Sequence, residues 1–269
     1  MRCQQDCWGL RLTGALSGKR AIVTGGGSGI GKGIALVLVE QGASVALIGR
    51  RLERLQSVVD LVRQHGGTAH AIAGDVRDRA QITAAVGKAQ AALGGLDILV
   101  NNAGIGGVNG CALDGPDRWD DIIRTNLDGL FFTTRAAAPF LPDGARIVSI
   151  SSVLGRFGVP GYTAYCTSKH GVVGFTKALA LELAPRRITV NAICPGWVDT
   201  DMAKTGMEGL AQAMGMTFES ARSAALAMVP LGSLLQPSEI GATVAFLCSN
   251  GAKGMTGQTL SHCGGQVMW

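Results

Sequence analysis

The sequence of 269 residues is poor in aromatic and in charged side chains, which make up 5% and 16% of it. It has no uninterrupted run of about 18 apolar residues of the kind that spans a membrane. Its start, residues 1–19, carries Arg2, Asp6 and Arg11 without an apolar stretch and so differs from a secretory signal. The net charge of +5 is modest and dispersed, whereas nucleic-acid binding favours a basic stripe with interleaved aromatics. We therefore expect a cytoplasmic protein without a membrane or nucleic-acid partner.

The sequence also lacks any C-x-x-C pair. Its seven cysteines are an odd number and are scattered over the chain: Cys3, Cys7, Cys111, Cys166, Cys194, Cys248 and Cys263. Disulfide frameworks and structural zinc sites need closely paired cysteines. We expect neither of them, and no metal site.

Short β-branched runs alternate with longer helical patterns almost from end to end, and 47% of the residues are hydrophobic. Strands are predicted at 20–24, 44–48, 69–73, 96–100, 146–150, 188–193 and 258–260. Helices are predicted at 29–41, 51–65, 79–93, 117–140, 164–183 and 237–249. Strands that are apolar on both faces indicate a parallel sheet covered on each side. The pattern thus predicts an α/β fold, a single doubly wound Rossmann-type domain with a seven-stranded parallel sheet and helices on both faces.

Two segments fall outside this alternation. Residues 1–17 precede the first strand and are predicted to form an N-terminal extension to a domain spanning 18–269. Residues 200–230 form a weakly helical stretch rich in methionine, a side chain that adapts to irregular apolar contacts. We interpret this stretch as a substrate lid, with packing at a subunit or helix interface as the alternative.

A glycine-rich turn links the first predicted strand to the first predicted helix. It reads Thr24-Gly25-Gly26-Gly27-Ser28-Gly29-Ile30-Gly31. Glycines allow a sharp turn, and they let a pyrophosphate approach the amides at the helix N-terminus, where the helix dipole favours an anion. The predicted nucleotide-binding residues of this turn are Gly25, Gly27, Ser28, Gly29, Ile30 and Gly31.

The residues after the next strands indicate which nucleotide is bound. In such folds an acid after the second strand accepts the ribose hydroxyls, whereas an arginine accommodates a 2′-phosphate. Here that strand is followed by Arg50 and Arg51, which favours NADP(H) over NAD(H). Further predicted contacts follow the third and fourth strands: Asp75, Val76, Asn102, Ala103 and Gly104.

A tyrosine and a lysine occur four residues apart in a predicted helix, at Tyr165 and Lys169. At that spacing both side chains project from one face. A phenol is a poor acid or base at neutral pH, but an adjacent cation favours the phenolate and lowers its pKa. The pair is therefore a candidate general acid and base for the interconversion of an alcohol and a ketone.

These features, in this order, resemble the short-chain dehydrogenase/reductase family over about 16–265. The motifs that carry the resemblance are Thr24-Gly25-x-x-x-Gly29-x-Gly31, Asn101-Asn102-Ala103-Gly104, Asn126, Ser152, Tyr165-x-x-x-Lys169 and Pro195-Gly196-x-Val198-x-Thr200. Ser151 adjoins Ser152, but the family's catalytic serine lies thirteen residues before the tyrosine, which selects Ser152.

The resemblance implies a role for each marker. Tyr165 exchanges a proton with the substrate oxygen, and Ser152 hydrogen-bonds that oxygen. Lys169 lowers the tyrosine pKa and contacts the nicotinamide ribose, and Asn126 anchors a proton-relaying water. The resemblance also implies cofactor-binding residues around the nicotinamide, which follow the sixth strand: Pro195, Gly196, Val198 and Thr200.

Several scaffold segments look most like ketoreductases of aromatic polyketide assembly and related acyl-thioester reductases. This likeness implies a β-keto acyl thioester, a polyketide or a cyclic ketone as substrate, free or bound to coenzyme A or a carrier protein. The expected pocket residues are Ser152, Leu154, Tyr162, Trp197, Met202 and Met207. The family also implies a homotetramer or homodimer that pairs through the helices at 117–140 and 164–183.

Two other functions remain open. One keeps the fold and the four catalytic residues but uses NAD to oxidise a secondary alcohol in a catabolic pathway. The other is a non-catalytic nucleotide-sensing protein. Such proteins usually lose one of the catalytic residues, whereas all four are present here.

Overall fold

A computed structural model describes residues 14–109, 111 and 117–268. The strands are β1 Arg20–Thr24, β2 Ser44–Gly49, β3 Ala69–Ala73, β4 Ile98–Asn101, β5 Arg146–Ile150, β6 Thr189–Pro195 and β7 Thr259–His262. They form one parallel sheet in the order β3-β2-β1-β4-β5-β6-β7. The prediction of a seven-stranded parallel sheet is confirmed. The strand order reverses between β1 and β4, which is where ligands bind in doubly wound sheets.

Helices cover both faces of the sheet. The α-helices are α1 Gly29–Glu40, α2 Leu52–Gln64, α3 Arg79–Leu93, α4 Trp119–Ile123, α5 Gly129–Ala137, α6 Thr163–Leu183, α7 Asp201–Met214, α8 Phe218–Ala227 and α9 Pro237–Cys248. One core cluster joins the sheet to α1, α2 and α9 through residues such as Leu38 and Val244. A second joins the opposite face to α3, α5 and α6 through residues such as Ile82 and Ala180. This two-sided core is the doubly wound arrangement that the sequence predicts.

The predicted helix at 117–140 is not continuous. A π-helical turn at Arg124–Asp128 separates α4 from α5, and a 3-10 turn at Ala138–Phe140 follows. Pro139 has no backbone N–H and cannot continue a regular α-helix. The π-helical turn contains Asn126, and such turns are frequent at functional sites.

The methionine-rich segment is more helical than expected. The Thr200 hydroxyl accepts from Ala203 N at the start of α7, and the Thr217 hydroxyl accepts from Ser220 N at the start of α8. Such N-caps stabilise a helix by about 1 kcal/mol. The segment is therefore a capped pair of helices, and its action as a lid remains a prediction.

The expected N-terminal extension lies mostly outside the described residues. Within the part that is described, Leu16 is fully buried in the core beside α1, and its backbone N–H donates to the Gln41 carbonyl. None of the described helices is long and apolar enough to cross a bilayer.

Candidate active site

A crevice with a cavity volume of about 890 Å³ crosses the carboxyl edge of the sheet. The loops after β1 to β5 line it, together with side chains from α6 and the start of α7. Its walls contain these predicted cofactor-binding residues: Gly25, Gly27, Ser28, Gly29, Ile30, Gly31, Arg50, Arg51, Asp75, Val76, Asn102, Ala103, Gly104, Tyr165, Lys169 and Thr200. Pro195, Gly196 and Val198 do not line the crevice. Val198 is buried and pairs with Leu235 instead.

The glycine-rich turn leaves the N-terminus of α1 open towards the crevice. No side chain caps this helix, so its first N–H groups have no side-chain acceptor. An added Cβ on Gly31 would collide with the carbonyl oxygen of Gly25, so the close approach of turn and helix requires glycine. The open helix end fits the pyrophosphate of a dinucleotide.

The Asn102 side chain braces this turn. Its Nδ2 atom donates to the Thr24 carbonyl over 2.9 Å. In return the Thr24 hydroxyl accepts from the backbone N–H groups of Asn102 and Ala103, at 3.0 and 3.1 Å. These bonds tie the loop after β4 to the end of β1, so Asn102 shapes the crevice through its side chain.

Positive charge gathers where β2 ends. Arg50 and Arg51 line the crevice together with Arg54, which is not among the predicted cofactor-binding residues. The spacing of Arg54, three residues after Arg51 in the first turn of α2, was the available signal. Partial burial raises the pKa of Asp75, but the hydrogen bonds and charge of Arg77, with the charge of Arg50, outweigh burial and hold this pKa below its ordinary value. The three guanidinium groups make this end of the crevice suitable for binding a phosphate.

At the other end, Tyr165, Ser152 and Lys169 come together. The Ser152 hydroxyl accepts from Leu154 N, and Ser152 lies close enough to Tyr165 to affect the pKa of the phenol. Lys169 is 5% exposed, and its Nζ donates to the Ile150 carbonyl over 2.9 Å. The ammonium nitrogen lies 5.6 Å from the centre of the Tyr165 ring.

The pKa of Tyr165 differs from the sequence prediction. Tyr165 keeps partial contact with the crevice, but burial of the phenol raises its pKa to about 12, although Ser152 beside it opposes this shift. Burial also lowers the pKa of Lys169 to about 8. The expected lowering of the tyrosine pKa by Lys169 is thus not found, because burial disfavours the charged form of each group and is the largest cause of each shift. The phenol is held protonated.

The Asn126 amide joins the loop after β4 to α6. Its Oδ1 accepts from Ile105 N at 2.8 Å, and its Nδ2 donates to the Ile105 carbonyl and the Ser168 hydroxyl, at 2.9 and 3.1 Å. Both amide hydrogens are therefore used. An added Cβ on Gly104 would lie 3.3 Å from Asn126 Oδ1 and 3.5 Å from Lys169 Nζ, which places these residues side by side. The anchoring of a water by Asn126 stays a prediction.

The expected pocket residues divide into two groups. Met202 lines the crevice, and the Tyr162 ring lies edge-on to Tyr165 with centroids 6.4 Å apart. Trp197 packs against α7 at Gly206. Of the six expected pocket residues only Met202 lines the crevice, whereas Ser152, Leu154, Tyr162, Trp197 and Met207 do not, and Met207 is 2% exposed on the inner face of α7.

Other lining residues were not predicted. They are Lys32, Gly33, Leu36, Ile48, Gly49, Arg54, Leu55, Gly74, Arg77, Ile105, Thr125, Ile150, Ser151, Asp199, Asp201, Gln236, Pro237 and Ser238. Gln236 to Ser238 belong to the start of α9, far along the chain, and no local sequence pattern links them to the crevice. Among the described residues, no three His, Cys, Asp or Glu side chains lie close enough to share a metal ion.

Comparison with known proteins agrees with this geometry. A family model described as enoyl-(acyl carrier protein) reductase matches residues 25–266. A variant of actinorhodin polyketide ketoreductase, crystallised with NADPH, superposes with a TM-score of 0.88 at 40% identity, over 93% of this chain and 98% of that one. The chain belongs to the short-chain dehydrogenase/reductase family. It is therefore an oxidoreductase of that family.

Two curated relatives of this dehydrogenase/reductase carry different activities in their names. A protein assigned as the ketoacyl reductase of the monensin polyketide synthase of Streptomyces virginiae is 42% identical, over 91% of this chain and 95% of that protein. The D-beta-hydroxybutyrate dehydrogenase of Cupriavidus necator is 40% identical, over 94% and 99%. Ketone reduction and alcohol oxidation thus both occur among its relatives.

Proposed function

We propose that this protein reduces a ketone to a secondary alcohol with NADPH, with Tyr165 as the general acid. The observation that carries the proposal is the Tyr165 ring 5.6 Å from the Lys169 ammonium, at one end of a crevice whose other end is lined by three arginines. When bound, the dinucleotide supplies hydride to the carbonyl carbon.

The residues at the reaction end divide the remaining work. Tyr165 donates its proton to the carbonyl oxygen, and the Ser152 hydroxyl hydrogen-bonds that oxygen and orients it. Lys169, fixed by the Ile150 carbonyl, places a positive charge beside the tyrosinate that forms after proton transfer. In the oxidative direction the same tyrosinate takes the proton of the alcohol.

The preference for NADP(H) rests on Arg50, Arg51 and Arg54. All three are exposed and line the crevice after β2, where the ribose 2′-phosphate of NADP(H) would lie. Guanidinium groups bind phosphate through paired hydrogen bonds. The NADPH in the related ketoreductase structure supports the same assignment.

For the substrate we infer a bulky ketone: a β-keto acyl thioester on coenzyme A or a carrier protein, a polyketide, or a cyclic ketone. The names of the matching family and of the polyketide ketoreductases support this class. Met202, which lines the crevice, and Tyr162, whose ring centroid lies 6.4 Å from that of Tyr165, provide apolar surface at this end.

The second candidate function is oxidation of a secondary alcohol with NAD. The similarity to a hydroxybutyrate dehydrogenase favours it. For either function we also propose a homotetramer or homodimer, because α4 to α6 leave large apolar side chains exposed, among them Trp119, Phe131 and Leu181.

The proposed function is tested by following NADPH oxidation across β-keto thioesters, cyclic diketones and aryl ketones, with NADH in parallel. In Tyr165→Phe, reduction of the best ketone should fall about 10²–10⁴-fold, because the general acid is lost, while NADPH still binds. Tyr162→Phe is the matched control and should retain most activity. Undiminished reduction by Tyr165→Phe would overturn the assignment of the acid.

A further inference from the structure

Arg118 holds the loop that follows β4 from outside the catalytic residues. Its Nη1 atom donates to the Gly106 carbonyl over 3.0 Å, and its Nη2 atom pairs with Asp121 Oδ2 at 3.3 Å. None of the steps above uses this side chain. A bond from a guanidinium to a backbone carbonyl is charge-assisted and directional, so it fixes the position of the peptide group that it binds.

That peptide group forms part of the reaction end of the crevice. An added Cβ on Gly106 would lie 3.7 Å from Tyr165 Cε2 and 3.5 Å from Met202 Sδ, so Gly106 lies close to both the proposed acid and Met202. The preceding residue, Ile105, is held through both its N–H and its carbonyl by Asn126. Arg118 thus supplies the next attachment along the same loop.

Gly107 makes room for this attachment. Its φ of +139° lies in a region that favours glycine, and an added Cβ would overlap the Arg118 guanidinium. A side chain at this position would therefore displace Arg118 from the loop.

A chain of ion pairs orients Arg118. Asp121 accepts from Arg118 through Oδ2 and from Arg77 through Oδ1, the latter at 3.1 Å. Arg77 in turn binds the Asp75 carboxylate at 2.7 Å, and both residues line the crevice after β3. The pairs are partly exposed, with 34% of the Arg118 and 43% of the Asp121 side chain accessible, so they are sensitive to salt.

We propose that Arg118 is a positioning residue that fixes Gly106 against Tyr165 and Met202 and so sets how the ketone lies against the acid. The proposal rests on the proposed function for its kinetic consequence. The attachment of the loop does not depend on that function, and it is measured separately.

The first measurement is hydrogen exchange in residues 104–109, followed by mass spectrometry without substrate. Exchange in this segment should be several-fold faster in Arg118→Met than in the wild type. Arg124→Met is the matched control, since Arg124 is an exposed arginine on the adjoining π-helical turn with no recorded bond to the loop. Equal exchange in Arg118→Met and the wild type would overturn the proposal, whatever the protein reduces.

The second measurement is kinetic, with an uncharged cyclic ketone as probe. In Arg118→Met the KM for the ketone should rise about tenfold, the effect of losing one charge-assisted hydrogen bond, while kcat and the KM for NADPH change less than about twofold. Arg118→Lys should restore part of the ketone affinity. Asp121→Asn should raise the KM for the ketone by less than Arg118→Met does. In the Arg118→Met background it should cause no further rise, because Asp121 acts through Arg118.

Salt distinguishes positioning from general support of the fold. Near 1 M salt the screening length falls to about 3 Å, so the wild-type KM for the uncharged ketone should rise towards that of Arg118→Met, whose KM should not change with salt.

An unchanged ketone KM in Arg118→Met, or equal losses in kcat, both KM values and Tm, would contradict the positioning role. Absence of ketone reduction by the wild type would instead contradict the proposed function, and the exchange measurement would still decide the attachment.

Discussion

Lys169 donates a hydrogen bond of 2.9 Å from Nζ to the carbonyl oxygen of Ile150, the last residue of β5. This bond fixes a buried ammonium at the edge of the sheet, close to the Tyr165 ring. One hydrogen bond does not replace the hydration that the ammonium loses, and burial therefore lowers the pKa of Lys169 from 10.5 to about 8. The position that suits catalysis is thus costly to the fold.

The pH dependence of stability should show this cost. Below about pH 8 Lys169 is protonated in both the folded and the unfolded chain, and the buried ammonium destabilises the fold to its full extent. Between about pH 8 and 10.5 only the unfolded chain binds the proton, so the free energy of unfolding rises with pH. Relative to Lys169→Met, the wild type should gain about 1.4 kcal/mol per pH unit in this window, measured by urea unfolding. A pH-independent difference between the two proteins would contradict a lowered lysine pKa.

The adjacent serines Ser151 and Ser152 should separate catalysis from support. Ser152 lies beside the Tyr165 phenol, whereas the Ser151 hydroxyl donates to the Lys169 carbonyl over 2.9 Å. Ser152→Ala should lower kcat for ketone reduction by about 10²–10³-fold, the usual cost of losing a donor to the reacting oxygen.

Ser151→Ala serves as the comparison. It removes a buried bond worth about 1 kcal/mol, so it should lower Tm by a few degrees and kcat by a few fold at most. If Ser151→Ala proved the more damaging to kcat, the assignment of Ser152 to the substrate oxygen would be wrong.

The arginines after β2 should discriminate between the two cofactors. Arg50→Ala and Arg54→Ala should each raise the KM for NADPH about tenfold or more and leave the KM for NADH nearly unchanged, because only NADPH carries the 2′-phosphate. Arg63→Ala is the control, because Arg63 is an exposed arginine in the last turn of α2, the helix that carries Arg54. Equal rises in the KM values for NADPH and NADH would show that these arginines do not bind the 2′-phosphate.

Much of the fold could be predicted because its signals are local. The apolar strands, the glycine turn before α1 and the spacing of Tyr165 and Lys169 each lie within a few consecutive residues, and period and spacing place them. The family motifs selected Ser152 over Ser151 by spacing alone. The π-helical turn around Asn126 escaped prediction, since it depends on contacts with Ile105 and Ser168 from other parts of the chain.

By itself the sequence determined the family, the parallel sheet and the residue types that carry the proposed chemistry, because these follow from short motifs in a characteristic order. Only the tertiary structure decided the electrostatics. It buried Tyr165 and Lys169 together, and this burial raises the pKa of Tyr165 and lowers that of Lys169. It also brought Arg118 to Gly106 and Arg54 to the crevice. The reason is that burial and hydrogen bonding depend on neighbours that only packing supplies.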